Sequence, residues 1–178
     1  MKEKKMNKWK MLTLVGQDKP GIVARITTAL YDVGAKLGEA SMMRLGGNFT
    51  IMLMLKSDQS TEQLKSSIAS VCQEMELTSD FQDIEADLHQ HEIPDSRITV
   101  YGADTAGIVA KATSHLLAAG FNIMDLESDV AGSEEAPIYI MHIEGIAANG
   151  MEALDKAVKQ IKADGVNVDM TPIDIMIG

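Results

Sequence analysis

Two stretches of this chain, residues 15 to 42 and 101 to 128, carry one pattern at a constant offset of 86 positions. The first reads Gly16, Asp18, Gly21, Ile22, Val23, Ala24 and Gly34; the second reads Gly102, Asp104, Gly107, Ile108, Val109, Ala110 and Gly120. Lys111 answers Arg25, Thr113 answers Thr27 and Leu116 answers Leu30. An internal duplication constrains the fold strongly, because each copy must be a supersecondary unit that buries its own apolar face or shares it with its sister. A single asymmetric catalytic centre is disfavoured for the same reason, since whatever the glycine loop does it does twice.

The 178 residues then divide into a first module at 1–89, a linker at 90–95 that contains Pro94, and a second module at 96–178. Modules of this size sit near the lower end of ordinary domains and bury a modest share of their surface. Pairing with each other, or with a second chain as a homodimer, is a natural way to gain core. The composition is 46% hydrophobic but only 4% aromatic, so Ile, Val, Leu, Ala and 13 Met must fill that core. Methionine packs irregular gaps and also suits adaptable partner surfaces.

Charge is distributed unevenly. Residues 1–90 hold 11 Lys or Arg against 12 Asp or Glu, a net of -1, while residues 91–178 hold 5 against 14, a net of -9. So acidic a second half repels a phosphate backbone and argues against direct DNA or RNA binding. The N-terminal run Lys2, Lys4, Lys5, Lys8 and Lys10 is interrupted by Glu3 and followed by no basic helix, so it is read as a solvated arm. Only Met11 to Val15 forms an apolar stretch near the start, too short for a secretory signal, and no stretch approaches a membrane span. The lone Cys72, at helical spacing with Leu64, Ile68 and Met75, is expected to be a packed, reduced thiol of a cytoplasmic protein.

Periodicity sets the element order. Met11 to Val15 reads as a strand entering a glycine turn; Ile22, Ile26, Ala29, Leu30 and Val33 recur at helical spacing, and Gly34 supplies the stop. Lys36–Met43 and Phe49–Leu55 read as a hairpin about Gly46-Gly47-Asn48. Ser60-Thr61-Glu62 opens a second helix carrying Leu64, Ile68, Val71 and Met75, and a strand follows from Phe81 to Leu88. The second half repeats this order: strand Ile98–Tyr101, helix Ile108–Ala119, strands Phe121–Val130 and Ile138–Ile143, helix Met151–Lys162 and strand Val166–Ile175. Its hairpin gains about three residues around Ser133-Glu134-Glu135, with Ile138 taken as the counterpart of Phe49.

The predicted fold is α+β: two tandem ferredoxin-like βαββαβ modules, each an antiparallel sheet with both helices on one face. The other sheet face is usually wet. Here Phe49, Ile51, Leu53 and Leu55 share one face while Met52 and Met54 take the other, and Ile138 and Ile140 are opposed by Tyr139, Met141 and Ile143. Both faces are therefore expected to be covered by the sister module or another subunit.

The loop between first strand and first helix carries the chemistry. Gly21 and Gly107 let the backbone approach a bound group, and the helix that starts there directs free N–H groups and the positive end of its dipole at one spot. A carboxylate suits that place. Asp18 and Asp104 would repel a carboxylate; they can instead cap the helix or accept a bond from an ammonium group. Plain N-caps with turn glycines remain an alternative, because duplication copies structure and function alike.

The doubled Asp-x-x-Gly-Ile-Val loop in a βαββαβ frame resembles the ACT domain, an amino-acid-sensing module. A free-standing tandem pair is similar to the glycine cleavage system transcriptional repressor family. The resemblance implies a ligand between modules, on the loop of one and the second strand of the other. Its site residues would be Asp18, Gly21, Ile22, Asp104, Gly107, Ile108, Asn122 and Ile123. Asn122 keeps the second-strand asparagine of the pattern, whereas Lys36 stands there in the first copy; the first loop has the more typical Lys19-Pro20 where the second has Thr105-Ala106. Loop one with Asn122 is the favoured combination. The resemblance further implies a small amino acid such as glycine as ligand, no cofactor, and a protein partner, a DNA-bound activator, as receiver of the signal.

Other signals are weaker. His89 and His91 would point one way on an extended chain, but His115 and His142 lie far from them in sequence and no Cys pair accompanies them, which argues against a metal site. No Ser or Cys has the context of an activated nucleophile. A regulatory subunit of an amino-acid metabolic enzyme is one alternative function. An RNA-binding module of the same element order is another, although the charge and the isolated Phe49 and Tyr139 speak against it.

Overall fold

The computed structural model describes residues 8–85, 92–103, 107–133 and 135–173. The chain divides into two compact units, residues 1–90 and 91–178. The first contains β1 (Lys8–Gln17), α1 (Ile22–Asp32), β2 (Lys36–Leu45), β3 (Asn48–Lys56), α2 (Thr61–Met75) and β4 (Thr78–Glu85). The second repeats the order with β5 (Ser96–Ala103), α3 (Ile108–Ala118), β6 (Phe121–Ser133), β7 (Ala136–Ala147), α4 (Met151–Ala163) and β8 (Asn167–Pro172). Each sheet is antiparallel, ordered β2-β3-β1-β4 and β6-β7-β5-β8. The predicted α+β class and the doubled βαββαβ frame are what the chain adopts. Residues 86–88 and 174–175, assigned by periodicity to strands, lie outside the described residues.

Alternation and helical spacing build each core. In the first unit Leu12, Leu14, Phe49, Ile51, Leu53, Leu55 and Phe81 point from the strands toward Ile22, Ile26 and Leu30 of α1 and Leu64, Ile68, Val71, Cys72 and Met75 of α2. Ile22, Ile26 and Leu30 recur every four residues, so they form one stripe on the helix. Each such side chain, fully buried, contributes about 1.5–3 kcal/mol of transfer free energy. In α2 the Ser60 hydroxyl accepts from the Gln63 amide while the Gln63 side chain accepts from the Ser60 amide, a reciprocal cap that fixes where the helix begins.

The second core uses the same positions, with one correction to the alignment of the hairpins. Phe49 lies opposite Gly16, and the residue opposite Gly102 is Tyr139, not Ile138. The inward residues of β7 are consequently Tyr139, Met141 and Ile143, and Ile138 is 47% exposed on the other face. The second hairpin continues two register pairs past the point where the first one turns, Gly132 with Pro137 and Ser133 with Ala136. Because the side-chain period of a strand is two, a one-residue error of alignment exchanges the faces, and apolar residues on both faces of β7 hide that error from the sequence.

The outer face of the first sheet is unevenly buried. Trp9 and Met54 are buried there, with the Lys56 ammonium 4.0 Å from the centre of the Trp9 ring. Met52 and Val15 on the same face are about half exposed, and Met141 belongs to the helix-facing core.

Candidate ligand-binding site

In the first unit β1 runs to Gln17, and four residues later Gly21 occupies the N-cap of α1 with φ 91° and ψ -2°. This left-handed conformation is open to glycine and strained for other residues. The first helical bond runs from Arg25 N–H to the Gly21 carbonyl at 3.0 Å, so the amides of Ile22, Val23 and Ala24 precede the ladder. The Ile22 side chain is locked in the core while Gly21 is exposed, which turns those amides outward from a fixed anchor. Gly107 repeats the geometry in the second unit, with φ 90° and ψ 1°, Lys111 N–H bonding its carbonyl at 2.9 Å, and Ile108 buried.

Neither cap comes from an aspartate: Gly21 and Gly107 hold the N-cap positions without a side-chain bond. The Asp18 amide donates to the Gly47 carbonyl at 3.1 Å, and the Asp18 carboxylate meets the Arg44 guanidinium at 2.5 Å. Asp18 thus faces a cation of the chain itself. Lys19 reaches across to Glu76 at 2.5 Å, and the hydrogen bond from Lys19 holds the Glu76 carboxyl below the usual carboxylate range. Asp104, Thr105 and Ala106 lie outside the described residues.

The strand register separates the remaining site residues from the loop of their own unit. Ser96 pairs with Gly145, which pairs in turn with Ile123, whereas Ala103 pairs with Ile138 at the other end of the sheet. Asn122 and Ile123 therefore sit about 23 Å along the sheet from the end of β5 that leads to Gly107, at a strand rise of roughly 3.3 Å per residue. No site built within the second unit alone unites Gly107 and Ile108 with Asn122 and Ile123. Asn122 is exposed and Ile123 is 36% exposed. A bulge follows directly, between Ile123 and Asp125, and the first unit has one at the matching place between Leu37 and Ala40. Bulges bend a strand and re-aim its side chains, so its recurrence beside the position of Asn122 and Lys36 is part of the repeated design.

Arg44 is the residue that sequence reasoning missed. It sits at the loop end of β2, opposite Phe49 and next to the Gly46-Gly47 turn, so the hairpin register was the signal that placed it beside Asp18. The two described histidines each have a partner of their own. His115 Nε2 is 2.8 Å from Asp164, His142 Nδ1 is 3.2 Å from Thr99, and His89 and His91 lie outside the described residues. Among the described residues no three His, Cys, Asp or Glu side chains are placed to hold a metal. An open cleft of about 540 Å³, lined by Asp32, Val33, Gln59, Gln63, Ser66 and Ser67, lies between α1 and α2 away from the glycine loop.

The ACT domain family model matches residues 11–82, which takes in the glycine loop, both helices of the first unit and its sheet. The first unit is ACT-like over these residues. The second unit repeats its fold, so the chain carries two ACT-like modules in tandem. A solved protein of unknown function from Galdieria sulphuraria is similar over 94% of this chain and 99% of its own, at 20% identity and a TM-score of 0.74. A candidate glycine cleavage system transcriptional repressor is similar over 94% of this chain and 98% of its own, at 16% identity and a TM-score of 0.66. At these identities the likeness is one of fold, and it extends over both ACT-like units. No curated protein sequence matches the chain. Among the described residues no helix is long and apolar enough to cross a membrane.

Proposed function

We propose that this protein is a non-enzymatic, amino-acid-responsive regulator that represses glycine cleavage genes through a protein partner. The observation that carries this reading is the repeated loop, in which Gly21 and Gly107 adopt the same left-handed N-cap and leave the first-turn amides of α1 and α3 ahead of the helical ladder. Such an end favours a carboxylate through both its free donors and its dipole. Asp18, held beside the first loop, supplies an acceptor for an ammonium group. Together these are the two complements of an α-amino acid. Support for the repressor role comes from the fold shared across both units with the candidate glycine cleavage repressor.

In this reading a small amino acid such as glycine places its carboxylate on the amides near Gly21 and Ile22 and its ammonium on Asp18. Ligand that binds the folded state stabilises it by mass action, by about 2.7 kcal/mol at ~100 times the dissociation constant. A thermal-shift screen of the full chain against the twenty amino acids at millimolar concentration should single out a small one, and Asp18→Asn should diminish the shift. If no amino acid moves the melting temperature or gives heat in calorimetry, the sensing role is wrong.

A further inference from the structure

We infer that Arg44 is the residue that selects an α-amino acid at the first loop, exchanging its bond with Asp18 for the ligand carboxylate while Asp18 takes the ligand ammonium. The inference rests on the amino-acid reading above and adds a named cation to a site otherwise made of backbone amides and one carboxylate. It starts from the register: Arg44 lies opposite Phe49, on the sheet face that looks toward the helices, at the end of β2 nearest the Gly21 loop. The two partners differ in freedom. The Asp18 side chain is 27% exposed and its backbone is tied to Gly47, whereas the Arg44 side chain is 69% exposed beside a two-glycine turn and can swing. An ion pair this open to water is weak and readily exchanged.

A zwitterion offers both halves of the exchange on adjacent carbons, so binding replaces one solvated pair by two charge-assisted ones without leaving either protein charge unpaired. The planar guanidinium suits a carboxylate, which can accept two bonds from it. On the same strand face, Met42 presents exposed apolar surface beside the pair, room for a short side chain rather than a second charge.

The second unit lacks this element. By register the place of Arg44 belongs to Val130, which lies opposite Tyr139 as Arg44 lies opposite Phe49. Duplication has therefore kept the glycine loop and left the cation in one copy, which makes the two loops chemically unequal.

The test is calorimetry on the full chain with glycine, L-alanine and L-serine, and with glycinamide, which keeps the ammonium and lacks the carboxylate. The wild type should bind at least one of the three acids, and Arg44→Gln should bind it about ten- to a hundredfold more weakly, as for loss of a charge-assisted hydrogen bond. Arg44→Lys, which keeps the charge and loses the planar fork, should fall between wild type and Arg44→Gln, and glycinamide should bind the wild type more weakly than glycine by a similar factor. Equal affinity of wild type and Arg44→Gln, or of glycine and glycinamide, overturns the role of Arg44 while leaving the sensing function standing. Failure of the wild type to bind any of the three acids overturns both.

Discussion

The carbonyl oxygen of Asn122 lies 2.1 Å from the place a Cβ on Gly145 would occupy, and the Phe121 ring is 2.8 Å from that same place. Gly145 pairs with Ile123 just before the β6 bulge, so the absence of a side chain on β7 is what lets the start of β6 come in close. The geometry that holds Asn122 thus depends on a glycine 23 residues downstream on the neighbouring strand.

Gly145→Ala should be costly, because the obstacle is backbone and cannot rotate away. Overpacking of this kind typically costs about 1–3 kcal/mol, and this substitution belongs at the upper end. Urea unfolding should show the loss. If Asn122 contacts ligand, amino-acid affinity should fall as well, since any relief of the clash moves the Asn122 carbonyl. Unchanged stability would mean that β6 has slack here, contrary to the register.

The reciprocal cap of α2 gives a cleaner test of stability alone, since Ser60 and Gln63 lie outside the proposed site. Ser60→Ala removes the acceptor for the Gln63 amide and should cost ~1 kcal/mol. Gln63→Ala, which leaves the Ser60 amide without its side-chain acceptor, should cost less, with no change in ligand affinity for either variant. Thermal melting with and without glycine separates the two effects.

Much of this fold was legible because duplication supplied two readings of each element. The stripe Ile22, Ile26, Leu30 and the stripe Leu64, Ile68, Val71 each recur in the second unit, and the glycines at 21, 34, 107 and 120 punctuate both. The face of β7 was not legible, since Ile138 and Ile140 alternate with Tyr139, Met141 and Ile143 and either set makes an acceptable core. Register decides such a case, and register is a property of pairing rather than of composition. The helix-start glycines could be read because a left-handed cap has few other solutions. The ion pair of Asp18 with Arg44 could not, because it joins residues 26 positions apart through a hairpin whose turn had first to be placed.

Glu76 should make part of the stability depend on acid. Its pKa is lowered, chiefly by the hydrogen bond from Lys19, and that of Glu62 is lowered by its backbone hydrogen bond and then by Ser60. A carboxyl whose folded pKa lies below its unfolded value stabilises the fold above the unfolded value and loses that contribution as pH falls through the folded one. The loss should therefore begin below about pH 4.3, the ordinary glutamate pKa. Glu76→Gln should flatten the fall in melting temperature between neutral and acid pH relative to wild type. A variant whose pH profile overlays the wild type would show that the Lys19 contact is too solvated to matter.

The output of the proposed regulator is predicted to run through protein contact and not through nucleic acid. Residues 91–178 carry a net charge of -9, and on the outer face of the second sheet Asp125, Glu127 and Asp129 of β6 stand exposed opposite Glu144, His142 and Ile140 of β7. An RNA-recognition sheet needs stacking aromatics and a positive surround. The aromatic residue on this face, Tyr101, is 38% exposed with its hydroxyl bonded to Asp169 at 3.1 Å, which surrounds the ring with acid instead. Each phosphate approaching such a surface would be repelled, and no released counterion would compensate. Gel shifts of promoter DNA with this protein alone should be blank at low salt and should change when a DNA-bound activator is added. Amino acid should alter that change only by its preference for one arrangement of the protein over another, typically ~1–3 kcal/mol of coupling. Tight, salt-sensitive binding of the isolated chain to DNA would overturn the mechanism and return the acidic sheet to the unexplained.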